Sequence, residues 1–305
     1  MFAIPSSWEF ASLVCKLFLY FGAASIAGGS LCLWQFSDGS RQTVHRNLLY
    51  IMLGSLLGFQ AVIANFLIQV GMVNANGLVG MVDWSMASLL LSTPLGDMSV
   101  ARLLGFGIAL VGSLRLLRTT KQLTRAPGQA FYRLQMLVYS LALLLLAFSF
   151  RVGGHNAVLP LTSQVAITIH FMAFALWIGS LFPLLMCTSS TDLAGLQLLM
   201  KRFGDLAIAI VLALLAAGVL MLWELLASLQ EFVSTAYGIA LLLKFVLVLA
   251  ILGVAAINRR VLVPRLISAA NADKLRRSIR QEMALAVVIL MTTSYLSTLI
   301  GPASH

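Results

Sequence analysis

Apolar residues fall in eight long blocks along the chain, with polar and basic residues gathered between them. The blocks run over about 10–33, 48–70, 99–117, 134–151, 163–186, 205–226, 236–257 and 283–300. Each approaches or exceeds the roughly 20 residues that a helix needs to cross a hydrocarbon core. The pattern predicts an all-α, polytopic transmembrane bundle with eight spanning helices. Trp8, Trp34, Trp84, Trp223 and Tyr237 stand at block ends, where amphipathic rings favour the membrane–water boundary. The second connection, 71–98, is long. Its middle reads as a short helix lying in the interface. Thr93-Pro94 is expected to end it, because proline disfavours the helical state in the residue before it. Gly54 and Gly58 form a small-xxx-small pattern for close helix approach.

Charge adds direction to this picture. Of the 305 residues 60% are hydrophobic and 10% charged, with a net charge of +10. Soluble domains carry about 25% charged residues. Sixteen of the 20 basic residues lie in odd-numbered connections. Those are Arg41 and Arg46, then Arg115 to Arg133, then Lys201 and Arg202, then Arg259 to Arg280. Even connections and their flanks hold Asp83, Asp97, Glu224 and Glu231. Basic residues mark cytoplasmic connections, so both termini are expected outside. The basic residues are topology signals, not a nucleic-acid surface, and the bilayer is the surrounding medium.

Cys15, Cys32 and Cys187 are isolated, with no CxxC pair, and read as buried thiols rather than a disulfide framework. The first block lacks a basic leader and an A-x-A site, so a retained helix is expected. No Walker A sequence, nucleotide loop or nucleophile–base pair occurs, which argues against an enzyme or an ATP-driven pump.

A trace of internal repetition runs through the blocks. Thr93-x-x-Gly96 precedes Arg102 as Thr235-x-Tyr237-Gly238 precedes Lys244. Gly29-Ser30-Leu31 can be laid on Gly179-Ser180-Leu181, which sets Tyr20 where His170 stands. The reading is a single transmembrane domain, 1–305, made of parallel four-helix repeats 1–152 and 153–305.

Candidate chemistry centres on two histidines. His170 lies inside the fifth block, with Trp177 seven residues on along the same face. An ionisable group at membrane depth is costly and suggests function. A hydrogen bond to a neighbouring helix is the structural alternative. His155, in Gly153-Gly154-His155-Asn156, lies close to the same outer end, with a solvent-facing loop residue as its alternative. Met72, Met81, Met86 and Met98 crowd the second connection, and Met172 follows His170. Imidazole and thioether ligands suit copper, although a methionine is also an ordinary gap-filler. Lys244 sits within the seventh block and needs a partner or a wet cavity, with Glu224 as one candidate. Arg102 reads as a snorkelling side chain.

Taken in order, these pieces resemble the bacterial CopD/PcoD copper-resistance inner-membrane proteins, most strongly over 149–302. The carrying residues are Ser149 to His155, His170-x6-Trp177-x-Gly179, Arg202-Phe203, Thr235-x-Tyr237-Gly238-x5-Lys244 and Asn258-Arg259-x4-Pro264-Arg265. Arg276-Arg277-Ser278-x3-Glu282, Gly301-Pro302 and Thr93-x-x-Gly96-x5-Arg102 complete the set. Ala217-Gly218 departs from an expected Thr-Gly. The resemblance implies a copper-handling protein that moves the ion from periplasm to cytoplasm. It implies a periplasmic CopC/PcoC-like copper-binding partner. His155 and His170 are then the expected copper ligands, with Met172, Met86 and Met81 in support. Trp177, Lys244, Arg102 and Glu224 are structural or gating candidates. Two alternatives stay open: a copper docking module that does not translocate the ion, and a haem redox protein with His155 and His170 as axial ligands. No ladder of histidine or methionine leads from His170 to the cytoplasm. Cys187, Met186 and Met200 are the soft residues on that side.

Overall fold

The computed structural model describes residues 4–122, 126–152, 160–189, 192–225 and 235–299. Its helices are α1 (Ser7–Gln35), α2 (Arg41–Asn74), α3 (Trp84–Leu91), α4 (Pro94–Gln122), α5 (Gln129–Val152), α6 (Leu161–Cys187), α7 (Leu193–Leu225), α8 (Ala236–Ile257) and α9 (Ala269–Leu299). A 3₁₀ helix, Gly77–Val82, precedes α3, and a π turn, Asn258–Leu262, prolongs α8. All but α3 are long and apolar enough to cross a membrane, which makes eight candidate spans among the described residues. Among the described residues there is no strand.

The helices outrun the apolar blocks, mostly at the basic end. Hydropathy marks the stretch that lipid surrounds, whereas backbone hydrogen bonding continues until a cap stops it. The Ser6 hydroxyl accepts from Glu9 N–H, and Glu9 Oε2 accepts from Ser6 N–H, closing a capping box on α1. Ser40, Asp192, Thr235 and Ser268 likewise accept from backbone N–H groups at the starts of α2, α7, α8 and α9. The last case matters most. The eighth block begins at 283, yet α9 begins at Ala269, so Glu282 stands within a helix rather than in a connection. The expected interfacial helix is present as the 3₁₀ turn plus α3, with Trp84 and Leu78 strongly exposed. It stops at Leu91, and Pro94 opens α4 at a first-turn position where its missing N–H costs nothing.

Lys16 Nζ donates to Ser297 O at 3.1 Å and to Thr298 Oγ1 at 2.8 Å. This clamp places the start of α1 beside the end of α9, so both lie at one end of the bundle, opposite the basic end.

Two hydrophobic cores meet on α6. The first is built around Phe106, Tyr139, Leu146 and Ile51 from α2, α4 and α5, with α1 running through it. The second takes Trp177, Leu184, Ile251 and Leu275 from α6, α8 and α9. Phe171 and Ala175 turn to the first core, and Ala173, Trp177 and Leu181 to the second. The halves are joined where α1 crosses α6. A Cβ on Gly28 would lie 1.9 Å from the Gly179 carbonyl carbon, and one on Gly179 would lie 1.8 Å from Ala24 O. Only glycine permits backbones this close. Tyr50 Oη donates to Gly179 O at 3.1 Å across the same crossing. The Gly54 and Gly58 pattern works in the same way, receiving Ser25 of α1 and Phe106 of α4.

Candidate functional site

α6 carries His170 on the side that faces α7. Its Nδ1 lies 3.0 Å from Leu214 O. A carbonyl oxygen can only accept, so this contact puts the proton on Nδ1. Nε2 is left with its lone pair, the form in which an imidazole ligates a metal while its other nitrogen is anchored. Gly218, one turn beyond Leu214, makes room for the ring: a Cβ there would lie 3.2 Å from His170 Cε1. His170 is half-buried. Lys244 of α8 is near enough to act on it electrostatically. Lys244 is half-buried and has no hydrogen bond or ion pair among the described residues. The side chain of its expected partner, Glu224, lies outside the described residues, as does His155.

The methionines have other neighbours. Met172 packs on the first core, because two residues along a helix turn about 200°. Met81 lies against Gly71 beside Trp8: a Cβ on Gly71 would lie 2.8 Å from Met81 Cγ. Met86 N–H donates to Asp83 Oδ1 at 3.0 Å, which caps α3. That bond, with others from Asn74 Nδ2 and Ser85 N–H, holds the Asp83 carboxyl below the usual carboxylate range. Among the described residues no three His, Cys, Asp or Glu side chains gather as a metal cluster.

Arg102, on α4, is tied down. Its Nε donates to Ser149 Oγ at 3.1 Å, and its guanidinium lies 5.1 Å from the centre of the Phe150 ring. Tyr20 stacks on the same ring, which packs in turn on Phe171.

Below His170, on its own face of α6, a cavity of about 570 Å³ opens at Trp177. Seven residues at 1.5 Å each separate the two side chains by about 10 Å along the helix. The cavity continues past Leu181, Leu184 and Met200 to Asn258, Arg259, Arg260 and Glu282 at the basic end. Met200, one of the soft residues singled out by the sequence, therefore lines it. Asn258 Nδ2 donates a short hydrogen bond to Glu282 Oε1, and both residues are buried. Hydropathy alone does not mark this pair as a site. Asn258 closes the seventh block and Glu282 precedes the eighth, so hydropathy places both in polar connections. The π turn starting at Asn258 and the early start of α9 bring them into the bundle.

Residues 197–296 match the model of a known family, CopD, described as copper resistance protein D. This third of the chain is a CopD region. With eight candidate spans among the described residues, the protein is a multi-pass membrane protein, and this third of it is similar to a copper-resistance family. The CopD region takes in Leu214, Gly218, Lys244, Asn258 and Glu282, and so most of the cavity wall. His170 and Trp177 face it from α6. No curated protein and no solved structure matches the chain.

Proposed function

We propose that the protein carries copper inward across the bacterial inner membrane, entering at His170 and descending through the cavity beside α6. The observation that carries this reading is the alignment of the two features. The imidazole with a free Nε2 and the cavity share one face of α6, and the CopD region forms the opposite wall. The weight of basic residues puts the basic end in the cytoplasm and both termini in the periplasm. A CopC/PcoC-like periplasmic carrier would then deliver copper at the end where His170 lies. His155, Met81 and Met86 are the further donors that the sequence reading assigns to that end. Inward passage of a cation gains about 2.3 kcal/mol per charge per 100 mV of membrane potential, which removes the need for ATP.

The two halves are read as parallel four-helix repeats, 1–152 and 153–305. Three likenesses support this. Gly28 and Gly179, one residue out of register in the repeat alignment, meet at the α1–α6 crossing. α1 packs on α9 as α6 packs on α5. Arg102 is close to Tyr20 as Lys244 is close to His170.

Proteoliposomes test the function. Purified protein should admit copper down an inside-negative potential, and His170→Ala should remove most of that flux. Wild-type vesicles that bind copper yet admit none above empty vesicles would leave a docking module and defeat transport.

A further inference from the structure

Glu282 is 4% exposed and Asn258 8%. The carboxylate accepts a single side-chain hydrogen bond, from Asn258 Nδ2, and no salt bridge reaches it among the described residues. The basic side chains that line the cavity or precede Glu282 on α9 are engaged elsewhere or exposed. Arg259 donates to Gly204 O at 3.0 Å and to Asp205 Oδ1 at 2.8 Å. Arg276 holds Thr188 and Asp273. Arg260 lines the cavity but is exposed. Meanwhile Asn258 Oδ1 is buried without a hydrogen-bond partner.

An ionised carboxylate buried without a cation is too costly to persist, so it takes up a proton or a positive ion. An orphaned amide oxygen beside it is a second acceptor awaiting a donor or a cation. The backbone is arranged for this pair. Val263 N–H donates to Asn258 O at 2.8 Å, five residues back, which makes the π turn that breaks the register of α8 at Asn258. Such π turns recur at functional sites.

We propose that Glu282 and Asn258 form a cation–proton exchange site at the basic end of the cavity. Glu282 keeps a proton while the cavity is empty. A metal cation binding to its carboxylate and to Asn258 Oδ1 displaces that proton, which leaves to water at the basic end. The displaced proton balances one positive charge of the arriving ion. Hard oxygen donors hold a soft ion such as Cu(I) loosely, as a site that must release its ion requires. The proposal rests on the copper path above, and it supplies the polar station that path otherwise lacks.

Infrared difference spectroscopy of the full-length protein, with and without copper, tests it. In the wild type the stretch of one protonated carboxylic acid should disappear as copper is added. Glu282→Gln should lack that band from the start, and Glu282→Asp should restore it. Asn258→Ala should keep the band and raise the copper needed to remove it about ten-fold. A wild-type band that copper leaves unchanged, or an identical loss in Glu282→Gln, overturns the exchange site. Loss of the band without copper flux in vesicles would instead defeat the transport reading and leave the exchange site standing.

Discussion

The two halves of the bundle are built from similar helices but use them differently. In the first, 39% to 50% of each helix's most apolar window is buried, while α7 and α8 in the second bury 11%. The first half fills its interior with Phe106, Tyr139 and Leu146, and its polar pair is immobilised. Tyr20 stacks on Phe150, and Arg102 is fixed by Ser149. In the second half His170 has one ring nitrogen anchored on Leu214 and the other free. The nearby cation, Lys244, is not held by any hydrogen bond among the described residues. Where the first half has packed side chains, the second has a cavity ending at Glu282. One half reads as scaffold and the other as the working part.

The largest expected effect comes from breaking the joint between them. Gly179→Leu drives a side chain into the backbone of α1 at Ala24. Overpacking a core costs about 1–3 kcal/mol when side chains can give way, and here the obstacle is backbone, so the cost should exceed that range. The expected outcome is loss of monodisperse protein on size exclusion in detergent. Normal behaviour would mean that the halves are not joined at this crossing.

A smaller effect separates the site from the scaffold. Gly218→Val pushes the His170 ring away from Leu214 O without touching the imidazole itself. Disturbing the partner that orients a ligand typically weakens metal binding about 10- to 100-fold. Equilibrium dialysis against copper should show a loss of that order while thermal stability changes little. Unchanged affinity would mean that the anchored ring orientation is irrelevant to copper.

The smallest effect lies at the periphery. Asp83 caps α3 in its ionised form, and its carboxyl is held below the ordinary range mainly by the Met86 N–H bond. A depressed carboxyl contributes stability above its unfolded value and loses it as pH falls through the folded one. Hydrogen exchange across 84–91 should therefore quicken below the normal carboxylate range, and Asp83→Ala should show the quickening at neutral pH. The core helices should not respond to this change.

Much of this was legible in the chain itself. Eight apolar blocks gave eight spans, because lipid demands unbroken apolar stretches and internally satisfied backbones. The glycines at 54 and 58 were recognisable because close approach leaves a small-residue signature. Lys244 stood out as a cation within an apolar block, and Trp177 was placed on the His170 face by helical period alone. What hydropathy missed were contacts made at helix ends. Lys16 finds Ser297 across almost the whole chain, and no local pattern announces it. Glu282 follows the basic stretch 274–280 and reads as connection, although α9 has already begun at Ala269. Helical hydrogen bonding does not stop where the lipid stops, so a charged residue before an apolar block can still lie inside the bundle.

In the function proposed above, copper is held by the second half at His170, while Tyr20 of the first half, stacked on Phe150, serves as scaffold. X-ray absorption of the copper-loaded protein tests this most directly. Imidazole scattering is expected in the wild type, unchanged in Tyr20→Phe and reduced in His170→Ala. Imidazole scattering of full strength in His170→Ala would contradict it.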